Sequence, residues 1–384
     1  VYTVPAKSGI TRNLTKSSGV HDRNVEWSPD GKYISFISDR TGEDEIYIQN
    51  QNGLEEATQL TFNSDTYKYN PVWSPDSKYL LWGDKMARLN LMEIATKKVK
   101  VIFEADDWEI REYTWSPDSR WIAFTENPNN SVNKIHIYGL DKGDIHQVTD
   151  NWYNANSPAF GTEGRYLFFV SARDFNPTYS WTEWNHAYQD MNSLYFVTLQ
   201  KDTPSPFEPE NDEVEVKVAD AENDKEEAEK TEKKEETTAT RIDFDGITDR
   251  VIKLPVKAGN YWNINPVKDA VYYVYNSSKS NGAKLTMYDL ESEKKTELGD
   301  IRSFVISANH KKMLISTQGK RAIIDLPKSK IKPKEFLDLK NMKVMVNLKE
   351  EWAQIYNESW RQMRDFFYDP NMHGVDWPAI HDKY

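Results

Sequence analysis

The sequence predicts an all-β protein: a β-propeller of about seven blades with the first incomplete, followed by a short α-helical segment. Three observations carry this. The tetrapeptide Trp-Ser-Pro-Asp recurs at Trp27, Trp73 and Trp115, 46 and 42 residues apart, a period that belongs to propeller blades. Each copy is followed by a turn and an alternating apolar run, the pattern of a half-buried strand. After Val346 the apolar period lengthens to that of a helix.

The second strands of the repeats read Tyr33-Ile34-Ser35-Phe36-Ile37, Tyr79-Leu80-Leu81-Trp82 and Trp121-Ile122-Ala123-Phe124. A third strand follows a polar loop at Glu45-Ile46-Tyr47-Ile48, Leu89-Asn90-Leu91-Met92 and Lys134-Ile135-His136-Ile137-Tyr138. A short fourth ends near Gln59-Leu60-Thr61 or Gln147-Val148-Thr149, which makes four strands per period, one blade. Degenerate copies begin near Pro158, Asn265 and Phe304. The stretch from Val1 to Thr15 matches the third and fourth strands of a further blade whose first two are missing, so the chain is expected to begin inside a domain.

Two insertions interrupt the fourth blade. The first, Ser171 to Asn192, is rich in aromatic residues, including Phe175, Tyr179, Trp181, Trp184 and Tyr188; it either packs on the ring or lines a binding surface. Arg173, Trp181 and Trp184 are its candidate substrate contacts. The second, about 203–240, is a Glu/Lys/Asp/Thr-rich low-complexity stretch expected to be a disordered spacer. Beyond residue 348, Trp352, Ile355, Tyr356, Ser359, Trp360, Met363 and Phe367 form one stripe of a helix. That helix should start near Glu350, run for about fifteen residues and stop at Tyr368-Asp369-Pro370, with a second opening at Asp376-Trp377-Pro378.

The net charge of −12 is concentrated in the low-complexity stretch, and no basic cluster suits nucleic acid. No apolar run approaches the roughly 18 residues a membrane-spanning helix needs, so neither nucleic acid nor membrane is an expected partner. With no cysteine, disulfides, thiolate metal sites and a Cys nucleophile are excluded. The scattered histidines give no metal-ligand spacing; no metal or cofactor is expected. The Gly-x-Ser-x-Gly elbow, phosphate-binding loops and the His-Glu-x-x-His helix are absent. The Ser and Asp of Trp-Ser-Pro-Asp recur in blade after blade, as a turn does and a catalytic site does not. No catalytic residue is assigned.

The Trp-Ser-Pro-Asp blades resemble those of TolB-like and prolyl-oligopeptidase propellers. Arg12-Asn13-Leu14-Thr15 with Gly19-Val20-His21-Asp22-Arg23, and Arg173-Asp174-Phe175-Asn176-Pro177 with Trp181-Thr182-Glu183-Trp184-Asn185, resemble the second propeller of tricorn-type serine peptidases of the S41 family. Glu351-Trp352 through Phe366-Phe367-Tyr368-Asp369-Pro370-Asn371-Met372-His373-Gly374-Val375-Asp376-Trp377 resembles the start of that family's first catalytic subdomain. The resemblance implies a propeller over 1–348 and the start of a helical subdomain over 349–384. It also implies a ring that admits peptide substrates to a serine peptidase, in a protein that could form homo-oligomers, with a periplasmic location preferred to a cytoplasmic one. The family's catalytic His and Ser fall beyond Tyr384, so this chain alone is expected to be inactive. The alternative is a non-enzymatic, TolB-like interaction platform.

Overall fold

In a computed structural model, residues 1–7, 9–129, 131–179, 186–208, 239–340 and 342–384 are described. Among them are six blades in chain order, over residues 22–59, 72–104, 113–147, 155–253, 260–299 and 304–325. The first five are four-stranded antiparallel meanders and the sixth has three strands. The first strand of each blade is innermost: first strands of the first and second blades, of the third and fourth, and of the fourth and fifth lie against one another.

Alternation along each strand turns apolar residues to the neighbouring blades on both sides, and the core is accordingly a series of inter-blade layers. Ile37, Ile46, Trp73 and Met92 fill the first layer, and Leu81, Leu91, Trp115 and Phe124 the second. Three further layers carry this through to the sixth blade. Two of the three repeat tryptophans, Trp73 and Trp115, reach back into the blade before them. The Trp73 indole N–H donates to Ser35 Oγ at 2.9 Å, and Trp115 stacks on Tyr79. Trp27 has no such seat and is 49% exposed, against 6% for Trp73 and for Trp115.

The Ser-Pro-Asp residues build turns. In all three copies the Ser hydroxyl donates to the Asp carboxylate two residues on, at 2.6 Å. It also accepts the N–H of the residue opening the next strand, Tyr33, Tyr79 or Trp121, at 2.9 Å. The left-handed position is Gly31 in the first copy and Ser77 and Ser119 in the others.

The incomplete N-terminal blade is not found as a seventh blade. Tyr2–Thr3 and Arg12–Asn13 form a two-stranded sheet of their own, with no further strand paired to it among the described residues. Its local bonding nevertheless repeats that of complete blades. The Leu14 N–H donates to Val1 O at 2.9 Å, as Leu60 does to Ile46 O and Val148 to Ile135 O, both at 2.8 Å. The Val1 amino group donates to Thr15 Oγ1 at 2.7 Å, where Ile46 N–H meets Thr61 Oγ1 at 2.8 Å and Ile135 N–H meets Thr149 Oγ1 at 3.0 Å. The pair is seated on the first blade through Arg12, which donates to Asn52 O and Gln51 O, and through Gln49, which donates to Leu14 O.

Helix α1 spans Leu348–Phe366, 19 residues and so longer than the stripe indicates. Asn347 caps it by accepting Lys349 N–H and donating to Glu350, a reciprocal start that sets the first turn two residues early. Helix α2, Trp377–Lys383, opens as expected, with Asp376 accepting Ala379 N–H and proline in its first turn. The two helices join through parallel indoles: Trp360 Nε1 donates to Trp377 O at 3.0 Å and Trp377 Nε1 to Trp360 O at 3.2 Å. The low-complexity stretch expected at about 203–240 lies largely outside the described residues.

Candidate functional site

A meander places its first-to-second and third-to-fourth turns at one end of the blade, and its second-to-third turns and inter-blade crossings at the other. The Ser-Pro-Asp turns and the described residues that follow Thr198 and precede Val251 are therefore on one face of the ring. On the opposite face lie the 39–44 loop, the crossings bearing Trp108, Trp152 and Tyr153, and the described part of the aromatic insertion between Ser171 and Ser193. That second face also receives α1, which meets the 39–44 loop.

At the start of the innermost strands on this face, the blades are tied by polar side chains. Register shifts interrupt these strands in the first, fourth and fifth blades, and Asn24, Ser157 and Asn263 take left-handed backbone there, as residues of bulges do. Asn24 bonds Asn70, just before the second blade. Ser157 donates its N–H and hydroxyl to Glu112, just before the third blade, at 2.6 and 3.1 Å. Asn263 donates to Phe304 O of the sixth at 2.8 Å. Tyr113 Oη donates to Asn70 O at 2.6 Å, and Arg111 donates to Tyr69 Oη at 2.9 Å. Burial, helped by the Glu109 charge, pushes the Tyr69 phenol up to about 12, so it stays a neutral hydroxyl at the rim. The inner rim thus carries amide, hydroxyl and carboxylate groups.

Arg173, a predicted substrate contact, is tied down. It pairs with Asp150 at 3.1 Å and lies over the rings of Tyr153 and Tyr195. Among the described residues near it, Trp152 and Phe175 are the most exposed aromatic side chains, at 82% and 75%, with Phe175 tilted against Tyr188. Trp152 was not singled out from the sequence because it stands in an ordinary inter-blade crossing. Trp181 and Trp184 lie outside the described residues.

Acyl transfer by a serine needs the hydroxyl bonded to a base that a third group orients. Among the described residues, His21 and His136 bond glutamates, His146 bonds Asp144, His373 bonds Tyr368, and His381 bonds Asn357. None of these rings bonds a serine hydroxyl. Also among the described residues, no three His, Asp or Glu side chains gather as metal ligands would.

Residues 1–327 match the tricorn protease second beta propeller domain, and residues 348–384 the tricorn protease C1 domain. Tricorn protease homolog 1 of Streptomyces coelicolor is 26% identical across the whole chain, which spans 38% of that relative. The tricorn protease homolog of Saccharolobus solfataricus is also 26% identical across the whole chain, here 34% of its length. The chain therefore spans less than half of either relative. The crystal structure of the tricorn protease superposes with a TM-score of 0.76 at 18% identity, over 94% of this chain and 35% of that one. A prolyl endopeptidase shares the fold at a TM-score of 0.54 and 12% identity, over 86% of this chain and 44% of its own. The register of the blades, the α1–α2 pair and the match across both segments lead to one statement: this chain belongs to the tricorn protease family, as a second-propeller domain joined to C1-domain sequence.

Proposed function

We propose that this ring is the substrate-gating propeller of a tricorn-like serine peptidase, passing peptides to a catalytic centre built from residues outside this chain. The observation that carries the reading is the seating of the C1-type helix α1 on the same face as the polar inner rim. A peptide leaving the ring there faces the adjoining domain. The rim's amide and carboxylate groups suit the N–H and C=O groups of an extended chain, and a ring of packed blades excludes folded proteins by size. Trp152 and Phe175 give apolar side chains a landing on that face.

The finer part of the proposal is a seventh blade, whose outer half is the N-terminal strand pair. The repeated Leu14 and Thr15 bonding supports it. So does the exposure of Trp27 on the first blade and of Val305 and Ile323 on the sixth; the last two share one face of the sheet through Leu314.

The gating part is tested by Asn70→Trp in a polypeptide that includes the catalytic domains. Cleavage of long peptides is expected to fall about tenfold more than cleavage of di- and tripeptide substrates, the range of a lost positioning contact. An equal effect on both would count against gating.

A further inference from the structure

Helix α1 meets the ring with its polar side, while its apolar stripe turns to α2 and outward. The contact is a ladder of charged and amide groups. At the first turn, Gly19 lies so close that a Cβ there would stand 2.6 Å from Glu350 Cβ. One turn on, Gln354 Nε2 donates to Asp39 Oδ2 at 3.0 Å. Glu358 pairs with His21 at 2.9 Å. Arg361 donates to Asp39 Oδ2 at 2.6 Å and to Gly42 O at 2.8 Å, and this ion pair is almost fully buried, its side chains 8% and 4% exposed. Arg364 closes the ladder with a two-pronged bond to Glu43 at 2.7 and 2.9 Å. Asp39 also accepts His21 N–H at 2.8 Å, so one carboxylate ties the segment before the first blade, the 39–44 loop and α1 together. Phe366 adds an edge contact to Tyr67 at the far end, but Trp352, Ile355 and Met363 stay exposed.

A contact made of ion pairs and little apolar area holds its geometry firmly while intact and contributes little once one charge is lost, because the partner is then stranded without solvent. Polar inter-domain contacts are also those across which domains move. We infer that the Asp39-centred contact is an electrostatic joint that sets the position of the helical segment on the ring and can let it go as a unit. The inference does not depend on the proposed peptidase role.

Amide hydrogen exchange on the 384-residue chain tests it. Asp39→Asn and, separately, Arg361→Met are expected to speed exchange of the α1 amides by roughly 100-fold, the scale of a stranded buried charge, with amides of the second to fifth blades unchanged. Asp39→Leu combined with Arg361→Met removes both charges and should bring α1 exchange back to within about tenfold of the parent. Arg361→Met alters only the helix side, so it reads the joint even if Asp39→Asn disturbs the ring. Unchanged α1 exchange in Arg361→Met would overturn the inference, as would ring amides accelerating in step with α1.

Discussion

Trp115→Ala is expected to destabilise the ring by about 3–5 kcal/mol, whereas Trp27→Ala in the same motif should cost about 1 kcal/mol or less. Both residues open a Trp-Ser-Pro-Asp turn, so local propensity cannot separate them. What separates them is the blade in front. Trp115 is 6% exposed and packs in the layer with Leu81, Leu91 and Phe124, while Trp27 is 49% exposed. Truncating the first leaves a cavity between two blades; truncating the second removes a side chain that water already reaches. Denaturant unfolding of the two variants reads the difference directly as a shift in midpoint. In a longer polypeptide that supplied the inner strands of a seventh blade, the cost at Trp27 should rise to that at Trp115. A Trp27→Ala variant as damaged as Trp115→Ala in the present chain would contradict the exposure of Trp27.

Gly83→Ala should be comparably severe for a different reason. A Cβ at Gly83 would lie 2.0 Å from Ile110 O, a backbone atom of the crossing into the third blade. Gly83 N–H also donates to Tyr113 Oη at 3.2 Å, and Ile110 is fully buried. No rotamer change relieves a clash with backbone, so the second and third blades must separate. The expected loss is about 3 kcal/mol or more, at the upper end for overpacking, read from the same unfolding measurement. An alanine variant with the stability of the parent would mean that this crossing is far looser than its geometry.

Those features of the fold that are local in the chain could be read from the sequence. The repeat spacing located the blades, the Ser-Pro-Asp turns are used as turns, and Asp376 with Pro378 marked the start of α2, because each depends on a few adjacent residues. The N-terminal strands were recognisable for the same reason, through Leu14 and Thr15. Whether they completed a blade was not, since that depends on pairing with strands no local pattern supplies. Gly83 gave no signal, as its need for a bare Cα comes from Ile110 across a blade boundary. The sequence did not mark the contact surface of α1. An apolar stripe reads as the side that packs, yet the ring takes the opposite side through Gln354, Glu358, Arg361 and Arg364, residues whose charge and polarity look like a solvated surface. The aromatic setting of Arg173 is visible in the sequence, but its pairing with Asp150 between Tyr153 and Tyr195 is not, since Asp150 and Tyr153 stand in the preceding inter-blade crossing.

The central claim, a peptide-gating ring whose chemistry lies elsewhere in the polypeptide, is tested most directly by hydrolysis of a panel of fluorogenic peptides. The 384-residue chain would be compared with the same chain extended through the catalytic subdomains. The account predicts turnover by the extended protein and none above background by this chain, where the histidines at 21, 136, 146, 373 and 381 bond no serine. Turnover by this chain alone, abolished by a serine-directed inhibitor, would contradict it.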